Sequence, residues 1–258
     1  MIFAEIGLNH LGSKKYANYY LEKLLSSKVD CISFQIKKNE FYLSYKKAFK
    51  SKDCSFYSDF RDKKIYELLF KKKKFQSLKL TKNFYIEARK KCRLKKKKFG
   101  IALGDIKLVN FFSSINTDFI KILSEDFNNT KLIQKLLNSR IKKIYISTGN
   151  VSFLKIKKFV NSLSKKEIKK VGLIHTSFNK TQSINNLNKI IKIRKIHKQV
   201  SYGLHAYNKK ILLKLKKYKP DSIFFYIKGE ISKFHPDDNH ALSFFELDYY
   251  VTRYKGIQ

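Results

Sequence analysis

Apolar residues recur along the chain in short runs, each bounded by polar or turn-forming positions, and eight of them are prominent: 2–6, 31–36, 99–103, 119–123, 144–147, 171–175, 199–203 and 223–227. Short apolar runs bounded in this way are the pattern of buried strands. Between most of them the apolar positions switch to helical spacing. Tyr16, Tyr20, Leu21 and Leu24 follow the first run, and Leu132, Ile133, Leu136 and Leu137 follow the fourth; residues three and four apart line one face of a helix. Strands alternating with helices predict parallel pairing, because a parallel connection needs a long crossover. Eight such units within 258 residues predict an α/β fold, a closed (β/α)8 TIM barrel, which typically takes about 250 residues.

In such a barrel the chemistry collects where the strands end, at their carboxyl side. The residues falling there are His10, Gln35, Asp105, Ser124, Asp126, Ser147, His175 and His205. Two charged residues lie within the apolar runs themselves, Glu5 in the first and Lys121 in the fourth. A charge inside a strand is costly to bury without a partner, which favours a functional role for both. The stretch 37–81 reads as an extended loop with a helix around 65–70, either a lid or an insertion, and 243–254 reads as one closing helix. The whole chain, 1–258, is expected to be one domain.

Composition changes this picture little. Lys and Arg total 57 against 20 Asp and Glu, a formal net charge of +37. Such a balance attracts anions of every kind, but lysine is spread along the whole chain. Its densest runs, 71–74 and 95–98, flank a helical pattern without interleaved aromatics that bases might stack on. No specific nucleic-acid partner is therefore expected. Three cysteines, Cys31, Cys54 and Cys92, form no close pair, which suggests neither a disulfide framework nor a metal knuckle. No apolar run approaches the ~18 residues of a membrane span. No membrane partner and a cytoplasmic location are expected.

The opening Ala4-Glu5-Ile6-Gly7-Leu8-Asn9-His10, followed by Gly12, resembles the first strand and turn of the sialic acid synthase family, whose members make N-acetylneuraminate, pseudaminic or legionaminic acid. Asp30-Cys31-Ile32-Ser33-Phe34-Gln35 resembles that family's second strand. The segment 120–126 resembles its fourth and Ile146-Ser147-Thr148-Gly149 its fifth, in the same order and at matching spacing. Weaker echoes follow in 173–177, 186–188, 200–205 and 236–241.

The resemblance implies an aldolase-like barrel that condenses phosphoenolpyruvate with an N-acetylated hexosamine into a nine-carbon sugar acid, in surface carbohydrate biosynthesis, with a divalent metal (Mn or Mg) polarising the sugar aldehyde. On this basis Glu5 orients the sugar and handles a proton. Gln35 and Lys121 hold phosphoenolpyruvate, and Ser124 and Ser147 add hydrogen bonds. His205 is a metal ligand. Asp126 and Asp237 contact sugar hydroxyls, with Asp238 an equal candidate, and Asn9 belongs to the substrate pocket. Members of the family commonly form homodimers, and they usually carry a small C-terminal antifreeze-like domain that is not expected within this chain.

Several positions depart from the family's pattern. Ser33 stands where a lysine is expected, and Lys37, on the same pleat face, is the candidate to replace it. The third strand reads Ile101-Ala102-Leu103-Gly104 without phosphate-cupping hydroxyls, and 178–180 lacks a tyrosine-proline pair. Ile227 stands where a second metal histidine is expected, leaving His10, His175, His235 and His240 as possible complements to His205. For each of these the alternative is an ordinary structural histidine, and His197 is expected to be one. These replacements keep a second reading open, a non-catalytic sugar-binding or regulatory barrel. A third is related chemistry on another anionic substrate through Lys37, His175 and His205.

Overall fold

A computed structural model describes residues 1–37, 79–176, 184–229, 237 and 240–256. Eight parallel strands close into a barrel in sequence order: β1 (Ile2–Gly7), β2 (Cys31–Ile36), β3 (Lys98–Leu103), β4 (Phe119–Ile122), β5 (Lys143–Ser147), β6 (Val171–Thr176), β7 (Val200–Gly203) and β8 (Ile223–Tyr226). Each strand falls on one of the eight apolar runs, and the closing helix Phe244–Lys255 lies where the sequence placed it. The stretch predicted as a lid lies almost wholly outside the described residues. Among the described residues, no helix is long and apolar enough to cross a membrane.

Helices form where capping residues precede apolar stripes. Ser13, Thr81, Asn129, Ser152, Ser164 and Ser243 each accept a backbone N–H at the start of a helix, satisfying donors that would otherwise be orphaned. Lysines do the converse at other helix ends. The Lys170 ammonium donates to the carbonyls of Leu136, Leu137 and Ser139 at 2.8–2.9 Å, beyond the helix Thr130–Leu137. Lys97 does the same for Ser27 and Val29 after the helix Lys14–Ser26. Part of the large positive charge thus completes helix C-termini, where cations are favoured.

Inside the barrel, alternation of side chains along each strand produces layers. The lower layer is an apolar plug of Phe3, Cys31, Phe119, Tyr145, Ile174 and Phe224. Phe3 stacks on Phe224 at 4.0 Å and meets Phe119 edge-on at 4.8 Å. Gly100 leaves room for this plug, since a Cβ there would sit 2.3 Å from the Phe119 ring. The plug fills the barrel beneath the layer that lies toward the carboxyl ends of the strands.

Candidate active site

The layer above the plug is polar. Strand register sets Glu5 opposite Ser33 of β2 and Tyr226 of β8, and sets Ala102 of β3 opposite both Gln35 and Lys121. Glu5 and Lys121 are both buried, and Glu5 Oε2 forms an ion pair with Lys121 Nζ. The Ser33 hydroxyl donates to Glu5 Oε1 at 3.5 Å. Lys121 Nζ also lies 5.2 Å from the Tyr226 ring centre and 5.6 Å from that of Phe224, within the range of cation–π attraction. The Tyr226 hydroxyl donates to Gln35 Oε1 at 3.2 Å.

Lys37 stands directly beyond β2, on the face shared by Ser33 and Gln35. Its buried ammonium pairs with Glu125 and lies 3.4 Å from Asp126 Oδ2. Both acids come from the turn Ser124–Asp126 after β4. Ser124 opens that turn half-buried, and Asp126, assigned by resemblance to sugar hydroxyls, here meets a lysine. Burial pushes the Lys37 amine down to about 8; Asp126 opposes the shift and the charge of Lys121 adds to it. The two ammonium groups thus lie close enough at the barrel mouth for the charge of one to disfavour that of the other, while each is held by a carboxylate. Ser147 shares a 2.9 Å hydrogen bond with Thr176 at the ends of β5 and β6.

The far side of the mouth is built from β1, β7 and the segment after β8. Asn9 Nδ2 donates to the Ile227 carbonyl at 2.8 Å, and the Asp237 N–H donates to Asn9 Oδ1 at 3.2 Å. Asn9 thus ties the backbones of Ile227 and Asp237 to the turn after β1. Of the candidate complements to His205, the structure brings His240. The two rings stack at 4.4 Å between centres, with Tyr226 edge-on to both at 5.5 and 5.2 Å. His240 Nε2 lies 3.7 Å from Asp237 Oδ1. Burial, then His240, then Lys121 hold His205 well below the ordinary imidazole value.

His10 instead closes a turn by accepting from the Gly12 N–H at 3.0 Å, and burial pushes it down to about 4. His175 is buried with its ring 6.2 Å from Tyr202, and His197 accepts from the Gln199 N–H at 3.1 Å. Asp238, His235 and 178–180 lie outside the described residues.

The fit to a divalent metal is poor. Among the described residues no group of three or more His, Cys, Asp or Glu side chains is arranged to hold one, and Ile227, where the resemblance expects a second histidine, is buried and apolar. Sequence reading also missed Tyr226. An aromatic at the end of an apolar run reads as core, and only its register with Glu5 distinguishes it.

The sequence profile of the NeuB family matches residues 20–216, well over half of the chain. The chain belongs to that family. It is 26% identical to the N-acetylneuraminate-9-phosphate synthase of Drosophila melanogaster over 174 residues, 67% of this chain and 44% of that protein. It is likewise 26% identical to the N,N'-diacetyllegionaminic acid synthase of Campylobacter jejuni over 196 residues, 73% of this chain and 54% of the relative. The chain thus spans about half the length of these curated relatives. The fold is similar to that of the N-acetylneuraminic acid synthetase of Leptospira borgpetersenii, with a TM-score of 0.79 at 20% identity, covering 99% of this chain and 82% of that one. As a NeuB family member the chain carries the barrel, and its 26% identity to these relatives marks it as divergent.

Proposed function

We propose that this barrel condenses phosphoenolpyruvate with the open-chain form of an N-acetylated hexosamine, giving a nine-carbon sugar acid and inorganic phosphate. The observation that carries the reading is the buried Glu5–Lys121 pair at the inner end of a mouth that also presents Lys37. A carboxylate and two ammonium groups buried where barrel enzymes place their chemistry are a costly arrangement for packing alone, and similarity to relatives named as sialic and legionaminic acid synthases supports the substrate class.

In this reading Lys121 and Lys37 hold the carboxylate and phosphate of phosphoenolpyruvate, since two anionic groups on one small molecule call for more than one cation. C3 of phosphoenolpyruvate attacks the aldehyde carbon, a C–C bond forms, and the aldehyde oxygen takes up a proton. Water adds at C2 and gives up a proton, with Glu5 the carboxylate placed to move it. The bond between C2 and the phosphate oxygen then breaks, leaving a keto acid and free phosphate. Asp237, whose N–H is held by Asn9 and whose carboxylate lies 3.7 Å from His240, is the residue assigned to the sugar hydroxyls.

A second reading, a non-catalytic sugar-binding or regulatory barrel, is favoured by Ile227, a buried apolar side chain just after β8 where the resemblance expects a metal histidine. Incubating the protein with phosphoenolpyruvate and a panel of N-acetylated hexosamines, with and without Mn²⁺, separates the two. Condensation yields a new acid seen by mass spectrometry in stoichiometric ratio to phosphate. Sugar binding without product supports the second reading.

A further inference from the structure

We infer that Tyr226 is a positioning residue for the anionic substrate, acting through the amide of Gln35; this rests on the reading that phosphoenolpyruvate occupies the barrel mouth. Tyr226 is buried at the end of β8 opposite Glu5. Its hydroxyl donates to Gln35 Oε1 at 3.2 Å. An amide whose oxygen is engaged in this way has its orientation fixed, so the NH₂ of Gln35 is turned from Tyr226 and keeps two donors for an anion. An untethered glutamine side chain would have to be ordered when the substrate binds, at a cost in affinity.

The ring of Tyr226 performs a second task. It lies 5.2 Å from the Lys121 ammonium, 5.5 Å from His205 and 5.2 Å from His240. It therefore touches both the ammonium and the imidazole pair, and its negative face steadies the ammonium that Glu5 also holds. Gly7 packs flat against this ring, where a Cβ would come within 2.6 Å, so the backbone of β1 fixes the tyrosine from the other side. Hydroxyl and ring make separable contributions, because only the hydroxyl reaches Gln35.

The test compares the parent with Tyr226→Phe, Gln35→Leu and the double variant by calorimetric titration with phosphoenolpyruvate alone, alongside KM and kcat where turnover is present. Tyr226→Phe keeps the ring and is expected to fold with an unchanged melting temperature. Losing one neutral hydrogen bond to the amide should weaken phosphoenolpyruvate binding about 3–10-fold, the range for such a bond. That change should appear in Kd and KM, with kcat and the sugar KM unmoved. Because the hydroxyl acts through Gln35, the double variant should bind no more weakly than Gln35→Leu. Unchanged phosphoenolpyruvate affinity in Tyr226→Phe, or additive losses in the double variant, would overturn the inference while leaving the proposed reaction standing. A parent that binds no phosphoenolpyruvate overturns both.

Discussion

Glu5 and Lys121, from strands three apart around the barrel, form an ion pair in which each side chain is only 2% exposed. Such a pair at the core of a protein stabilises little beyond the desolvation it incurs, yet losing one partner leaves an uncompensated buried charge. Retaining it in place of two apolar side chains favours a chemical role over a packing one.

Single truncation is therefore expected to be more harmful than double replacement. Lys121→Ala should lower the unfolding free energy by about 3–5 kcal/mol, the cost of orphaning a buried carboxylate. Lys121→Met with Glu5→Gln should cost clearly less than the single change. Denaturant titration of the three proteins checks this, and equal losses would contradict the burial of the pair.

Lys37 predicts a pH dependence whose sign is fixed. Its amine is pushed down from 10.5 to about 8 in the folded barrel, so between these values the unfolded chain binds more protons and the stability contributed at this site rises with pH. Below about 8 the cost of the buried ammonium is fully present. Relative to Lys37→Met, the parent should gain stability as pH passes from about 8 to 10.5. Over the same window its KM for phosphoenolpyruvate should climb as the ammonium is lost. A flat difference in both quantities would show that Lys37 does not titrate here.

Gly7→Ala is expected to disturb the site from the backbone. Gly7 has φ +59, and an added Cβ would meet Tyr226 at 2.6 Å. Strain of this kind costs about 1–3 kcal/mol, and here it should also displace the tyrosine. Thermal melting reports the first effect, and a weakened affinity for phosphoenolpyruvate reports the second.

The barrel was legible in the sequence because its strands are buried on both faces, and each appears as a short, mostly apolar run such as 223–227. Glu5 and Lys121 were legible for the complementary reason, as charges inside those runs. Partnerships between strands distant in sequence were not. Pairing Lys37 with Glu125 and Asp126 depends on a turn after β4 aiming two acids across β3, and Tyr226 gains its meaning only from register with Glu5. Asn9 was placed in the substrate pocket by motif, whereas its amide makes backbone bonds on both sides. His240 was one of four histidines that the sequence left equal, and the turn Asp237–His240 brings it onto His205.

The central claim is that the Glu5–Lys121 layer turns over phosphoenolpyruvate, and inorganic phosphate release tests it most directly. Parent, Glu5→Gln and Lys121→Met proteins, each shown to be folded by circular dichroism, are incubated with phosphoenolpyruvate and each N-acetylated hexosamine in turn. Sugar-dependent release by the parent that is lost in both variants is the predicted result. No release with any sugar from folded parent, or equal release from the variants, would contradict it.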